Sequence, residues 1–250
     1  MNTPIDISEE SGVRYLHFGS DWVQGAMRLR KPDALELEYT REMMAGLLLR
    51  PAPWPARVLL IGLGAGSLAK FVHRQLPDAC TTVVEIAPEV HGVARQYFRL
   101  PDEDARLRVV IGDGADFILQ DNSQWDLIAV DGFDRHARAG ALATLPFYQA
   151  ARSRLSERGV MAVNLFGCTR GYRTQLGHLI KAFDDRVFAF PSCDSGNVVA
   201  LCASGEAHEL PLAELRARAL ALKAATALDL RATVSRLEEA GSLPGGVLRL

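Results

Sequence analysis

The chain has 250 residues, a net charge of −2 and no apolar run of the roughly 18 residues that a membrane-spanning helix needs. Its hydrophobic fraction of 48% is enough for one full core, and its arginines form no basic block, so neither a membrane protein nor a nucleic-acid-binding protein is expected. The N-terminus lacks the features of a signal peptide, and the four cysteines form no C-x-x-C pair. We therefore expect a cytoplasmic protein without a disulfide framework or a zinc site.

The N-terminal segment, residues 1–56, is predicted to form a small β-hairpin followed by a helix. Residues 13–18 and 22–29 alternate in polarity around a turn at 19–21, which is typical of a hairpin. A helix is predicted over residues 38–49, and it ends before a cluster of three prolines. Because the hairpin has a free edge, it could pair with a second copy of the chain and form a homodimer.

Residues 57–205 have the rhythm of parallel β/α units, and residues 206–250 are predicted to form a helical tail. Apolar runs alternate with helical segments; these runs are 57–61, 81–86, 107–111, 125–130 and 159–165. Two further runs, 186–190 and 197–203, are close enough to predict an antiparallel hairpin that closes the sheet. The expected fold is α/β, a Rossmann-like class I S-adenosylmethionine-dependent methyltransferase fold with a seven-stranded, mainly parallel sheet. The segment 146–156 is predicted to be a helix that stops by Gly159.

A glycine-rich turn follows the first of these strands. Gly62, Gly64 and Gly66 alternate where the strand ends and a helix begins, so the backbone can approach a ligand beside unpaired helix N–H groups. Glu85 ends the next strand, where its carboxylate can accept from ribose hydroxyls. This combination predicts a nucleotide site. The glycines alone do not exclude NAD, because a dinucleotide fingerprint fits from Gly64.

Three further carboxylates follow later strands. Asp113 can accept from the exocyclic amine of adenine, and it can also cap the helix 114–120. Asp131 ends the fourth strand near the reactive end of a bound nucleotide, where it can take a proton from an attacking amine, and Asp134 lies slightly outside it. The alternative is that Asp131 caps the following loop and that Asp134 is a solvated loop residue. Together with Glu85, Asp113 favours an adenosyl ligand over a dinucleotide.

As a set, these residues resemble the polyamine aminopropyltransferases, the spermidine synthases and their relatives. The shared motifs are Val23-Gln24, Leu37–Met44, the glycine turn, Val84-Glu85-Ile86, Gly112-Asp113-Gly114, Asp131-Gly-Phe-Asp134, Phe147-Tyr-Gln149 and Leu155–Gly159. The resemblance covers roughly residues 13–205. It implies a transferase that moves an aminopropyl group from decarboxylated S-adenosylmethionine to an amine such as putrescine, leaving methylthioadenosine.

The resemblance also implies a role for each matching position. Asp131 would be the general base that accepts the proton of the attacking amine. Gln24, Tyr39 and Asp134 would contact the amine substrate. The donor nucleoside would be bound by the glycine turn and two strand ends, which contribute Gly62, Gly64, Gly66, Glu85, Ile86, Asp113 and Gly114. No metal is expected.

The chain differs from the family pattern where the donor tail and the acceptor meet. Ala65 stands where the family has an acidic residue, and without that charge intact S-adenosylmethionine becomes a credible ligand. The loop after Asp134 lacks the family's prolines and carries Arg135 and Arg138. The alternatives to aminopropyl transfer are therefore an S-adenosylmethionine-dependent methyltransferase and a nucleoside-binding relative without turnover.

Other residues near the site have simpler interpretations. The acids Glu36, Glu38 and Glu42 of the N-terminal segment could attract a cationic diamine, or they could be ordinary solvent-facing acids. Trp22 is expected to be a packing residue, and His136 is expected to be a solvated loop residue.

Overall fold

The computed structural model describes residues 4–20, 22–134, 138–167, 171–193, 195–205 and 207–250. Within these residues the chain forms twelve strands and eight α-helices. The predictions for Arg135 and His136, and part of the predicted turn at 19–21, lie outside the described residues.

The N-terminal unit is a three-stranded antiparallel sheet with a short helix. Its strands are β1 (Asp6–Glu10), β2 (Val13–His17) and β3 (Val23–Arg28), in that spatial order. The predicted hairpin is confirmed as β2 and β3, whereas β1 is an additional strand with a single apolar residue, Ile7. The predicted helix splits into α1 (Glu38–Met43) and a 3₁₀ helix at Ala45–Leu48.

A seven-stranded sheet forms the centre of the molecule. Its strands are β4 (Arg57–Ile61), β5 (Cys80–Glu85), β6 (Leu107–Ile111), β7 (Trp125–Val130), β8 (Leu155–Phe166), β9 (Val187–Ala189) and β10 (Asn197–Ala203). They lie in the order β6-β5-β4-β7-β8-β10-β9, and only β10 runs against its neighbours, which confirms the fold class. Because the chain runs outward from β4 and then returns to β7, the ends of these two strands form the crevice where such sheets bind ligands.

Helices cover the sheet and form most of the tail. The helices between strands are α2 (Ser67–Gln75), α3 (Pro88–Tyr97), α4 (Gly114–Gln120), α5 (Leu145–Ser153) and α6 (Tyr172–Ala182). The tail contains α7 (Leu212–Thr226), α8 (Arg231–Glu239) and a two-stranded sheet of β11 (Glu209–Pro211) and β12 (Val247–Arg249). Among the described helices, none is both long and apolar enough to cross a membrane.

One predicted boundary is wrong, at the start of β8. The helix predicted over 146–156 ends at Ser153, and Gly159 lies inside the strand instead of stopping the helix. The pairing of β7 with β8 jumps from Leu155 to Val160, so the intervening residues form a bulge. A Cβ at Gly159 would lie 2.7 Å from Cβ of Leu155, so this close approach requires glycine.

One hydrophobic cluster joins all three predicted segments. It contains Leu48 from the N-terminal unit, Leu127 from the central sheet and Leu237 from the tail. The division of the chain at 56/57 and 205/206 stays a prediction.

Candidate active site

The carboxyl ends of the parallel strands meet at one edge of the sheet, where a cavity of ≈ 1060 Å³ opens. Across this edge its lining contains Asp113 after β6, Glu85 of β5, Gly62 after β4, Asp131 after β7 and Asn164 of β8. All of the predicted site residues line this cavity except Gly66. Their spatial order places Asp113 and Glu85 at one end, and it places Asp131 between the glycine turn and Asn164.

The glycine turn brings β4 close to β7. Gly62, Gly64 and Gly66 all have left-handed φ angles, of 98°, 51° and 68°. A Cβ at Gly62 would lie 2.2 Å from the backbone oxygen of Asp131, so any side chain there would push the two strand ends apart. Gly66 instead occupies the N-cap of α2, which explains why it does not line the cavity.

Glu85 connects the glycine turn to the loop after β5. Its carboxylate oxygens accept from the backbone N–H groups of Leu63 and Ala87 at 2.8 and 2.9 Å. Burial raises the pKa of Glu85, and the hydrogen bonds from backbone N–H groups oppose that rise. Next to it, the side chain of Ile86 is 68% exposed and lines the cavity, so it offers apolar surface to a ligand.

Asp113 caps α4 at the far end of the same edge. Its Oδ1 accepts from the backbone N–H of Ala115 at 2.7 Å, as the capping alternative predicts. Capping uses one carboxylate oxygen, so the other can accept from a ligand amine. The following residue, Gly114, lets α4 approach the sheet, because a Cβ there would lie 2.3 Å from Cγ2 of Ile61.

Asp131 is held by two side-chain donors. The hydroxyl of Tyr39 donates to Oδ2 at 3.2 Å, and Nδ2 of Asn164 donates to Oδ1 at 2.8 Å. Burial raises the pKa of Asp131, and these two hydrogen bonds oppose the rise by stabilising the carboxylate. The pKa of Tyr39 is raised well above its usual value by burial and by the charge of Asp131. The Tyr39 hydroxyl therefore stays protonated, which keeps it a donor to Asp131.

Behind Asp131 runs a chain of polar side chains that sequence reasoning missed. Nδ2 of Asn197 donates to Oδ1 of Asn164 at 2.9 Å, and Oγ of Ser195 donates to Oδ1 of Asn197 at 2.6 Å. Because a carboxylate only accepts, Asn164 must turn its NH₂ group to Asp131 and its oxygen to Asn197. The available signal was one asparagine inside the apolar run of β8, where a buried amide needs partners.

Asp134 lies at the rim of the cavity and is engaged by Arg138. Nε of Arg138 donates to Oδ2 at 2.9 Å, and its backbone N–H donates to Oδ1 at 3.0 Å. Trp22, which was expected to pack in the core, is 49% exposed and lines the cavity. Its ring contacts that of Phe166, with centroids 5.1 Å apart and planes tilted by 35°.

The acids of the N-terminal unit hold it in place. Arg28 donates to Glu36, and Arg236 of α8 binds both Glu38 and Glu42. None of these three acids is among the described residues that line the cavity. Glu42 is fully buried, so it is not the solvent-facing acid that the sequence suggested either.

The sheet order, the glycine turn and the carboxylates at the strand ends define a transferase with a class I methyltransferase fold. More narrowly, the chain belongs to the spermine/spermidine synthase family, because the Spermine/spermidine synthase domain matches residues 37–169, just over half of the chain. It is 36% identical to the polyamine aminopropyltransferase of Chromobacterium violaceum over 244 residues, which cover 98% of this chain and 93% of that protein. The predicted family and the predicted transferase class are thereby confirmed.

Solved structures share the fold. Human methyltransferase-like protein 13, determined in complex with SAH, is 29% identical with a TM-score of 0.67, and the match covers 76% of this chain and 93% of that one. A probable spermidine synthase from Corynebacterium glutamicum has a TM-score of 0.72 at 19% identity, covering 86% of this chain and 83% of that one. The fold of this chain is therefore shared with both of these structures.

Proposed function

We propose that the chain transfers the aminopropyl group of decarboxylated S-adenosylmethionine to an amine, with Asp131 as the general base. The observation that carries this function is the position of Asp131, which lines the cavity between the ends of β4 and β8 and is hydrogen-bonded by Tyr39 and Asn164. Membership of the spermine/spermidine synthase family and the 36% identity to a polyamine aminopropyltransferase support the same reaction.

The reaction asks little covalent chemistry of the protein. The lone pair of a neutral amine attacks the propyl carbon, the C–S bond breaks, and its electron pair returns to the sulfonium sulfur to give methylthioadenosine. A neutral thioether leaves without protonation, so the protein has to align the amine and to accept the proton that the new C–N bond releases. Burial raises the pKa of Asp131, which makes this carboxylate a stronger base than an exposed aspartate.

The donor nucleoside would occupy the half of the cavity formed by β5 and β6. Glu85 would accept from the ribose hydroxyls, and Asp113 with the adjoining Gly114 would meet the adenine amine. The exposed side chain of Ile86 would pack against the nucleoside. Support for this placement comes from the strand order, which separates these residues from the acceptor side.

The amine would enter on the other side of Asp131. Gln24 and Tyr39 of the N-terminal unit would contact it, and Asp134 would lie at the entrance together with Arg138. The reaction as proposed uses no metal. A cytoplasmic location and a homodimer stay predictions.

Methyl transfer from intact S-adenosylmethionine is the second candidate. Ala65 is buried against Leu16, Met27 and Phe98, at the position where the family has an acidic residue. An alanine there presents no negative charge to repel a methionine carboxylate. The likeness to the human methyltransferase-like protein favours the same candidate.

The variant Asp131→Asn tests the role of the base. We expect methylthioadenosine release from decarboxylated S-adenosylmethionine and an amine to fall by about 10²-fold or more, because general-base catalysis is lost. Binding of methylthioadenosine, measured by calorimetry, should change little, since the nucleoside contacts lie elsewhere. Asp78→Asn, at an exposed position before β5, is the matched control. If Asp131→Asn released methylthioadenosine at the wild-type rate, Asp131 would not be the general base, and a different chemistry would be favoured.

A further inference from the structure

Resting on the proposed function, we propose that Arg236 of the C-terminal tail is a positioning residue for the base Asp131. It holds in place the two segments of the chain that orient the carboxylate. These segments are helix α1, which carries Tyr39, and the turn before β10, which leads to Asn197. Arg236 is not among the described residues that line the cavity, so it would act on the reaction through these segments.

Helix α1 depends on its neighbours for its position. It has six residues, less than two turns, and its N-cap residue Leu37 forms no side-chain capping hydrogen bond. Helices of this length are not stable alone in water, so contacts with the rest of the protein determine where α1 lies. Tyr39 of this helix donates to Oδ2 of Asp131 at 3.2 Å. A shift of α1 would therefore move one of the two donors to the base.

Arg236 binds α1 on both sides of Tyr39 in the sequence. One terminal guanidinium nitrogen donates to Glu38 and the other donates to Glu42. These two acids are four residues apart, so they lie on one face of the helix. Glu42 is fully buried and Glu38 is partly buried, which shields both ion pairs from water. Because its planar fork holds both acids at once, the arginine restrains the rotation of α1 as well as its distance from α8.

The turn before β10 is bound to the same buried carboxylate. Sγ of Cys193 donates to Glu42 at 3.2 Å. Burial and the charge of Glu42 raise the pKa of this thiol to about 12, so the thiol stays protonated and remains a donor. The backbone N–H of Cys193 donates to the carbonyl of Asn197, and the N–H of Gly196 donates to the carbonyl of Cys193, both at 2.8 Å. Glu42 therefore holds one end of the turn from which Asn197 enters the site.

Both routes from Arg236 end at Asp131. Nδ2 of Asn197 donates to Asn164 at 2.9 Å, and Asn164 donates to Oδ1 of Asp131 at 2.8 Å. The route through α1 ends at the other oxygen, which accepts from Tyr39. One arginine thus supports the donors of both carboxylate oxygens. Without it, both donors shift, and the carboxylate loses the orientation in which it meets the attacking amine.

The variant Arg236→Lys tests this role in the full-length protein. Lysine keeps a positive charge beside Glu42, but its single ammonium does not reproduce the planar fork that holds two acids. With decarboxylated S-adenosylmethionine and the best acceptor from a panel of amines, we expect kcat for methylthioadenosine release to fall at least about tenfold. The Kd of methylthioadenosine, measured by calorimetry, should change less than about twofold. The reason is that Glu85 and Asp113, at the ends of β5 and β6, belong to neither route.

Arg218→Gln is the matched control. Arg218 of α7 also joins the tail to the N-terminal unit, but it donates to the carbonyls of Leu48 and Leu49, beyond the end of α1. Both variants should lower the free energy of unfolding measured in urea, whereas kcat should fall only in Arg236→Lys. A fall in kcat of the same size in both variants would indicate a general structural role and would overturn the inference.

A double-mutant cycle tests the route through α1. In the double variant Tyr39→Phe with Arg236→Lys, the fall in kcat should be at least about threefold smaller than the product of the two separate falls. The reason is that Tyr39→Phe has already removed one of the two routes to Asp131. Separate effects that multiply fully in the double variant overturn the inference.

Glu38→Gln provides the same test if Arg236→Lys does not fold. It removes one of the two ion pairs on α1 and leaves the buried Glu42 paired. We expect kcat to fall at least about threefold, with an unchanged Kd of methylthioadenosine. Wild-type kcat in Glu38→Gln or in folded Arg236→Lys overturns the inference alone. Absence of methylthioadenosine from the wild type with every amine overturns the proposed function, and this inference with it.

Discussion

At the scale of single residues, the basicity of Asp131 is set by two opposing effects. Burial disfavours its charged form, while the donors Tyr39 and Asn164 stabilise that form. The orientation of Asn164 is fixed in turn by the hydrogen bond from Asn197, so Asn197 also contributes to the position of Asp131. Substitutions behind Asp131 should therefore change the pKa of its carboxylate, which is the base under the proposed function.

The variant Asn164→Leu should shift the pH dependence of the reaction. Without this donor, only the hydrogen bond from Tyr39 opposes the effect of burial on the carboxylate. The pKa of Asp131 therefore rises further. Since the base must be deprotonated, activity is lost as pH falls through this pKa, and the acid limb of kcat/KM moves to higher pH. We expect a shift of about one pH unit, measured from methylthioadenosine release between pH 5 and pH 9.

A loss of folding would mimic a loss of activity in that variant. Asn164→Leu also leaves the NH₂ group of Asn197 without its acceptor, so the free energy of unfolding should fall by about 1–3 kcal/mol. Ser195→Ala, at the far end of the same chain of side chains, should shift the acid limb less. If the acid limb of kcat/KM in Asn164→Leu lay at the same pH as in the wild type, Asn164 would not affect the pKa of Asp131.

At the scale of elements, the glycine turn is what allows β4 and β7 to form the crevice. Gly62→Ala should lower the free energy of unfolding by roughly 3 kcal/mol or more, because it combines an unfavourable φ with a clash against the backbone of Asp131. Binding of methylthioadenosine should weaken with it. Urea denaturation and calorimetry measure the two effects.

Gly92→Ala provides the matched control within the same fold. Gly92 lies inside α3, and a Cβ there meets nothing within 4 Å. This substitution should raise the free energy of unfolding by about 0.5–1 kcal/mol, because alanine loses less backbone freedom than glycine. If Gly62→Ala and Gly92→Ala lowered the free energy of unfolding by the same amount, the turn would have no special requirement for glycine.

The elements that could be predicted from the sequence are those whose own residues carry the signal. The glycine turn located the start of α2, and the apolar run 125–130 located β7. β1 escaped prediction because its sequence Asp-Ile-Ser-Glu-Glu has no apolar alternation and its pairing partner supplies the structure. Gly159 was misread because a bulge and a helix stop both favour glycine, and only the register of β7 with β8 separates them.

At the scale of the whole molecule, the tail is attached to the N-terminal unit through a buried carboxylate. Arg236 of α8 binds Glu42, which is fully buried and also accepts from Sγ of Cys193 at 3.2 Å. Burial raises the pKa of Glu42, and Cys193 and Arg236 oppose the rise. Together with the ion pair between Arg236 and Glu38, this contact joins the tail to the N-terminal unit.

Removing the arginine should destabilise the protein in a pH-dependent manner. Arg236→Ala leaves Glu42 as an unpaired buried charge, which should cost about 3–5 kcal/mol at pH 7. The pKa of Glu42 then rises further above its unfolded value, so the folded state gains stability relative to the wild type as the pH falls and Glu42 becomes protonated. Urea denaturation at pH 7 and pH 5 should show the larger loss at pH 7.

Arg216→Ala is the control for that experiment. Arg216 pairs with Glu238 on the exposed side of the same helical tail, so its removal should change the free energy of unfolding by less than about 1 kcal/mol at either pH. A loss in Arg236→Ala that is the same at both pH values would show that Glu42 does not titrate with the folding of the tail.

The candidate site was predictable where its residues follow strand ends, and not where distant segments meet. Glu85, Asp113 and Asp131 are each placed by their own strand. Asn197 and Trp22 reach the site only through the pairing of β10 with β8 and the packing of the N-terminal unit on the sheet. Their contribution depends on contacts between residues far apart in the chain, which a local pattern does not encode.

The identity of the nucleoside product distinguishes aminopropyl transfer from methyl transfer. The protein is incubated with equal concentrations of decarboxylated and intact S-adenosylmethionine and an excess of amine, and the nucleosides are identified by mass spectrometry. Transfer of an aminopropyl group with Asp131 as base predicts methylthioadenosine, formed by the wild type and at a rate lower by about 10²-fold or more in Asp131→Asn. Accumulation of S-adenosylhomocysteine instead of methylthioadenosine would contradict this account and establish methyl transfer.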